Sequence, residues 1–374
     1  MIYLDSAATT LQKPHSVARA ASWAVGNLSS PGRGGYSASA HAADTAFKCR
    51  EAAAELFNVE DPSNVVITHS ATHGLNIAIK SLVRPGGRVL ISGYEHNAVT
   101  RPLHAVGAKV TVAHSELFEP EMALHAFECR LSSGLSAVIC NHVSNVFGYI
   151  LPIERIAGAC GRFGVPLVID ASQSAGMLEL DFAALGAAYA AMPGHKGLYG
   201  PQGTGLLLCN GAPQTIIEGG TGGHSVPPEM PDFLPDRLEA GTHNMSGIAG
   251  LCAGLNFVRK KGKKILEHER RLAEKAIGGL MRIDRVKVFC SEFGYCQTGV
   301  VSFIIDGMTC ETVAEKLASR DIAVRAGYHC APLAHRSADT FPSGTVRMSV
   351  SAFNTGKDIS VFLGAVEDVV RREV

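Results

Sequence analysis

Residues 192–205 read MPGHKGLYGPQGTG. Lys196 follows His195 and is flanked by Gly194 and Gly197, with Gly200, Pro201, Gly203 and Gly205 close behind. The apolar run just upstream, residues 187–192, has the length and composition of a buried strand, so Lys196 falls at a strand end. Small neighbours at such a place let the backbone approach a flat ligand closely. An ordinary surface lysine fits a glycine-rich turn equally well, and Gly-His-Lys-Gly alone leaves both readings open.

Outward from this stretch, short β-rich runs alternate with helical ones. Strands are expected at 65–68, 88–92, 109–113, 136–140, 166–170, 187–192 and 205–209, with helices at 72–82, 97–106, 119–131 and 153–163 between them. Near-continuous apolar strands separated by helices predict an α/β fold with a mostly parallel seven-stranded sheet covered on both faces. Two helices, 16–25 and 38–56, precede it. Residues 219–235 are rich in glycine and proline and read as an excursion or hairpin. A long helix over 245–276 leads to a smaller α+β unit, with strands in TGVVSFII, IAVR and TVRMSV. The division expected is a large unit, 15–255, and a small one, 1–14 plus 256–374.

The totals narrow the function. The chain has 374 residues, 46% hydrophobic and 18% charged, with 34 basic and 34 acidic side chains. Zero formal charge removes the electrostatic argument for nucleic acid or an anionic membrane as partner. No apolar run reaches the ~18 residues of a spanning helix. MIYLDSAATT lacks the basic and apolar regions of a secretory signal. Ten cysteines without CxxC or zinc-like spacing offer no metal site, and reduced thiols without a signal point to the cytoplasm.

Ligands of parallel sheets bind at the carboxyl ends of the strands, so the residues after each strand carry the chemistry. HSATHGLN follows 65–68; free N–H groups at a helix start, with the Thr72 hydroxyl, suit a phosphate, and a plain N-cap fits as well. GYEHNAV places His96 near a helix start, able to stack on a ring or to serve as a hydrogen-bonded structural residue. NHVSNVFG brings Asn145 and Gly148 to the same edge. VPLVIDASQSAG ends a buried strand in Asp170, a costly carboxylate unless a cation pairs with it. A pyridinium nitrogen is such a cation, and Gln173 three residues on can donate to a neighbouring oxygen. An N-cap or a metal-ligating aspartate is the alternative. An aldehyde cofactor such as pyridoxal phosphate would join the two motifs, since it needs both a lysine amine and a pyridinium partner.

Strand-Asp-x-x-Gln followed by Gly-His-Lys-Gly, with 26 positions from Asp170 to Lys196, resembles the class V aminotransferase family of fold-type I pyridoxal phosphate (PLP) transferases. Within that family the chain is most similar to the cysteine desulfurases. The likeness runs nearly end to end, through LDSAATT, EH at 95–96, HVSNVFG, DASQSAG, GHKGLYGPQGTG, LEAGTHN, RAGYHCAPLAH and VRMSVSAFNT. It implies a homodimer that binds pyridoxal 5'-phosphate, converts L-cysteine to L-alanine and passes a persulfide to a protein acceptor. By the same resemblance Lys196 is the Schiff-base lysine and acid/base, Asp170 pairs with the pyridinium, Gln173 faces the phenolic oxygen, and His96 is catalytic, stacking on the ring and helping to shuttle protons. Ala71, Thr72 and His195 hold the phosphate, with Thr242 reaching it from the second subunit. Asn145 and Arg347 bind the substrate carboxylate, and Cys330 is the thiolate that takes the sulfur. Selenocysteine lyase, cysteine sulfinate desulfinase, class V aminotransferase and partner-dependent sulfur carrier are the alternatives.

Only 17 positions separate Cys330 from Arg347, which resembles the group II, SufS-like desulfurases with their compact cysteine loop. Three departures stand out: Pro193 where many relatives have serine, His73 in place of glutamate, and His243 in place of proline.

Overall fold

The computed structural model describes residues 1–32, 34–223, 225–292 and 296–371. In chain order its first half contains β1 (Ile2–Tyr3), α1 (His15–Asn27), α2 (Ser37–Phe57), β2 (Val65–Thr68), α3 (Ala71–Leu82), β3 (Arg88–Ser92), α4 (Asn97–Ala105) and β4 (Lys109–Ala113). Then come α5 (Pro120–Glu128), β5 (Ala137–Asn141), α6 (Ile153–Phe163), β6 (Leu167–Asp170), α7 (Phe182–Leu185), β7 (Tyr189–Pro193) and β8 (Gly205–Cys209). The remainder holds α8 (Met245–Leu280), β9 (Val286–Phe289), β10 (Val300–Ile305), α9 (Cys310–Ala318), β11 (Ile322–Ala323), β12 (Arg325–Gly327), α10 (Pro332–Ser337), β13 (Thr345–Ser349) and α11 (Gly356–Arg371).

Seven strands form one sheet in the order β2-β8-β7-β6-β5-β3-β4. Strands β5 to β8 are buried at every position, as the unbroken apolar runs predicted. Alternate residues point to opposite faces. Leu90, Val138, Ile169, Ala190 and Leu206 join the core on one side, while Val89, Ile139, Val168, Ala191 and Leu207 join the core on the other. The exception to parallel order is β8, antiparallel to both β7 and β2. The eleven residues between β7 and β8 are too few for a crossover helix, so the chain must turn back on itself. That turn is the lysine stretch.

Beyond the large sheet, β12-β13-β10-β9 form an antiparallel sheet of four strands. Phe303 and Met348 from this sheet, Leu317 from α9 and Phe362 from α11 share a separate core with Leu272 and Ala276 of α8. Helix α8 therefore serves both cores: Ile248, Leu251 and Leu255 near its start belong to the large one. Its 36 residues span about 54 Å at 1.5 Å per residue. The Asn244 side chain caps it by accepting from Gly247 N.

Of the two readings of residues 219–235, the excursion holds: among the described residues they are irregular chain with no hairpin, because the Gly-Gly and Pro-Pro pairs supply neither strand propensity nor ladder donors. One expectation changes. The stretch read as one strand, IAVR, splits into β11, parallel to β1, and β12, which belongs to the small sheet. No described helix is long and apolar enough to cross a membrane.

Candidate active site

The carboxyl ends of β5, β6 and β7 meet the start of α3 and of α4 around one cleft. Ala71, Thr72, His96, Asn145, Asp170, Gln173, His195 and Lys196 all line it. The sequence reading is thus brought together in eight of its residues.

Each arrives by a local rule. Ser70 caps α3, accepting from His73 N at 3.2 Å, and the first-turn N–H groups of a helix have no partner inside it. Those of Ala71 and Thr72 stand at the cleft. His96 caps α4 through Nδ1, which accepts from Ala98 N at 3.0 Å. With Nδ1 an acceptor, the ring proton sits on Nε2. Asp170, 4% exposed, ends β6, and its Oδ1 accepts from Ser172 N at 2.9 Å. The loops after β6 and β7 touch at two glycines. A Cβ on Gly176 (φ +82°) would stand 2.5 Å from Gly197 O, and one on Gly197 would run into Ala175 O. Only this absence of side chains lets Lys196 and Asp170 face the same space.

The electrostatics suit a reactive amine. Burial, and then the charge of Arg347, lower Lys196 to about 8, with Asp170 pulling the other way. His195 falls to about 4 through burial and the nearby Lys196 and Lys13. Burial also depresses His96, against the opposing charge of Asp170.

The N-terminal segment straps the site from outside the large sheet. His195 O accepts from Thr10 N and Thr10 Oγ1, both at 3.0 Å. Ala7 O takes one N–H of the Gln173 amide at 2.9 Å, leaving the second. Asp5 pairs with Arg347, Oδ1 to Nη2 at 2.8 Å. Arg347 Nη1 donates to Asn145 O at 2.8 Å. Sequence reasoning quoted LDSAATT yet gave Asp5 no role. The signal available was a charged residue inside a short apolar segment.

Cys330 is exposed and stands at the rim. His329 and Cys330 both adopt left-handed backbone, φ +49° and +56°. The turn is held at each side: Asn145 Nδ2 donates to His329 O, and Asn97 N donates to Cys330 O, both at 2.8 Å. The Cys330 backbone is therefore anchored to the residue after His96. Thr242 is not brought to this cleft within the single chain. It lines a different one with His69, His73 and His243. There Glu239 accepts from both guanidinium nitrogens of Arg50 at 2.7 and 2.6 Å, from Ile67 N at 2.6 Å, and lies 2.6 Å from His243 Nε2. That cluster was invisible in the sequence.

The residues fit pyridoxal phosphate. Buried His195 Nδ1, Asn145 Oδ1 and Arg347 Nε have no hydrogen-bond partner among the described residues, and such orphans are costly unless a bound group meets them. Free helix N–H groups match a phosphate, an aspartate matches a ring nitrogen, and an amine of lowered pKa matches an aldehyde.

Fold and cleft thus define the class that the motifs implied, an α/β protein with a lysine–aspartate site at its strand ends. The chain belongs to the aminotransferase class-V family, whose model matches residues 2–362. It is similar to a probable cysteine desulfurase of Vibrio cholerae, 32% identical over 99% of this chain and 94% of that one. Among solved structures, the apo cysteine desulfurase of Thermococcus onnurineus superposes with a TM-score of 0.90 at 28% identity, covering 99% of this chain and 94% of that chain. A cysteine desulfurase of Escherichia coli in an S-sulfonic acid form gives 0.86 at 25% identity, with 99% and 94% covered.

Proposed function

We propose that this chain is a PLP-dependent cysteine desulfurase, taking sulfur from L-cysteine, releasing L-alanine and holding the sulfur as a persulfide on Cys330. The observation that carries the reading is the shared cleft of Lys196 and Asp170, with the Cys330 turn hydrogen-bonded to its wall.

When bound, pyridoxal phosphate supplies an electron sink that weakens the substrate's carbon–sulfur bond. Ala71 and Thr72 offer N–H groups, and His195 its ring, to the phosphate. Thr242 of a second copy completes that site in a homodimer. Asp170 would give its carboxylate to the ring nitrogen, His96 would pack on the ring and the free N–H of Gln173 would meet the phenolic oxygen. Lys196, with an amine lowered to about 8, has a usable neutral fraction near neutral pH to bind the aldehyde and to carry the proton taken from the substrate Cα. Asn145 and Arg347 hold the substrate carboxylate, a planar fork being suited to that task. Cys330 Sγ attacks the substrate sulfur as a thiolate: the S–S bond forms, the Cβ–S bond breaks, and its electron pair stays with carbon, which takes up a proton.

The held turn of Cys330 supports delivery to an acceptor protein that comes to the cleft, in the manner of a compact-loop enzyme. The chain works in the cytoplasm, as units 15–255 and 1–14 plus 256–374. Mass spectrometry after incubation with cysteine tests the reading: one added sulfur is expected on the peptide containing Cys330. Cys330→Ala should keep the cofactor and lose sulfide release. Undiminished release by that variant would remove Cys330 from the mechanism.

A further inference from the structure

Glu95 precedes His96 and is 0% exposed. The titratable groups about it are Asp170 on β6, whose charge is felt there, the Cys140 thiol on β5, and His96 next in the chain. No lysine or arginine is among them. A carboxylate in such a place is expensive, since burial without a cationic partner opposes the charged form.

The hydrogen bonds around it can be counted proton by proton. Ser92 Oγ lies 2.5 Å from Glu95 Oε1 and 2.8 Å from Asn141 Oδ1. The orientation of the Asn141 amide is fixed from its other side, because Nδ2 donates to Tyr94 O at 2.9 Å. Ser92 Oγ thus faces two acceptor oxygens with one hydroxyl hydrogen, and it accepts from Tyr94 N at 3.1 Å besides. If Glu95 were ionised, one of the two contacts would be oxygen against oxygen with no hydrogen between. One more proton, on Glu95 Oε1, resolves it: Glu95 donates to Ser92 Oγ, and Ser92 donates to Asn141 Oδ1. Asn141 N still donates to Oε1 at 2.8 Å. The remaining oxygen, Oε2, is buried with no partner among the described residues, which is tolerable for a neutral carbonyl and costly for a carboxylate.

We infer that Glu95 keeps a proton in the working enzyme and uses it to lock the 92–97 loop to β5, positioning His96 and leaving Asp170 as the single anion at the floor of the cleft. The protonation stands on the hydrogen-bond count; the part concerning His96 and Asp170 rests on the cofactor reading above. Burial raises this carboxyl to about 8, which agrees with the count. Glu95 is a positioning residue, and its lock opens as the pH rises through that value.

Infrared spectra of the cofactor-free protein test the first part. Subtracting Glu95→Gln from wild type near neutral pH should leave the C=O stretch of a protonated carboxyl, sensitive to D2O and absent well above pH 8. A carboxylate band in that difference near neutral pH overturns the inference. Should Glu95→Gln fail to fold, Ser92→Ala serves: it deprives the Glu95 proton of its acceptor and shifts the carboxyl band, whereas an ionised Glu95 would show no change in that region. Equilibrium dialysis of pyridoxal phosphate against pH tests the second part. Wild type should lose retention with a midpoint near 8, and Glu95→Gln should show no such titration. An alkaline loss that persists unchanged in Glu95→Gln overturns the positioning role. If neither protein binds pyridoxal phosphate, the cofactor reading fails, and the infrared result still decides the protonation of Glu95.

Discussion

Glu239→Gln probes the best-defined cluster outside the cleft. The carboxylate of Glu239 is 8% exposed and its partner Arg50 7%. Its two oxygens serve four donors: two from Arg50, the Ile67 amide and His243. Burial alone would raise the Glu239 carboxyl, but the His243 hydrogen bond and the Arg50 charge outweigh it and hold it below the ordinary value. A glutamine keeps the shape, removes the charge and turns an N–H2 toward groups that are already donors. Breaking a buried pair from one side costs about 3–5 kcal/mol, most of it the stranded partner's charge. At roughly 2–4 °C per kcal/mol for chains somewhat shorter than this one, the melting temperature should fall by about 6–20 °C. Removing both charges in Arg50→Met/Glu239→Leu should recover much of the loss, because the stranded guanidinium goes too. Melting curves of the three proteins at one scan rate provide the measurement. A single variant that loses less than about 1 kcal/mol, the range of an exposed pair, or a double variant no more stable than the single, would refute the reasoning. As Glu239 is held below its unfolded value, the contribution is full above that unfolded value and is lost as pH falls through the folded one.

Three further outcomes follow from the geometry. The rate at which cofactor-free protein covalently captures pyridoxal phosphate should rise about tenfold per pH unit up to about 8, where Lys196 becomes neutral; a profile still climbing well past that value would place the amine elsewhere. Gly197→Ala should lower the melting temperature by an amount worth about 1–3 kcal/mol and weaken cofactor binding, because the new Cβ meets Ala175 O and Met177; wild-type affinity in a titration would contradict the close approach described. Glu269 is fully surrounded on α8, with Tyr199 Oη at 3.3 Å from its Oε1, and burial raises its carboxyl well above the usual range. Glu269→Gln should thus stay within about 1 kcal/mol of wild type at mildly acid pH. It should gain on wild type as pH rises, since a raised acid loses its contribution between its unfolded and folded values. Denaturant midpoints at two pH values check it.

What the sequence made legible were features with a local cause. Strands β5 to β8 are apolar up to the Asn141 and Asp170 that end β5 and β6 because both faces are covered, so their runs stand out without any partner. Lys196 and Asp170 could be placed because Asp170 ends such a run and Lys196 follows one within three residues, and His96 because a helix starts there. The unread features are pairings across long gaps. Arg347 meets Asp5 at a separation of 342 residues, Arg50 meets Glu239 at 189, and Ser92 meets Asn141 at 49. None has a spacing that a helix or strand period would reveal. β9 was missed although Val286 and Val288 pack inward around the exposed Lys287, since four residues alternate too briefly to register.

Strand β1 lies beside β11, and Asp5 beside Arg347, so residues made before the seven-stranded sheet find their places among residues made after it. A nascent chain can finish that sheet while β1 and Asp5 are still unanchored. The Asp5 end of the pocket's strap closes only once β11 and Arg347 have emerged. Premature termination or a stalled ribosome would therefore yield a product with an intact scaffold and an unfinished pocket, and cofactor loading during synthesis would be a late event.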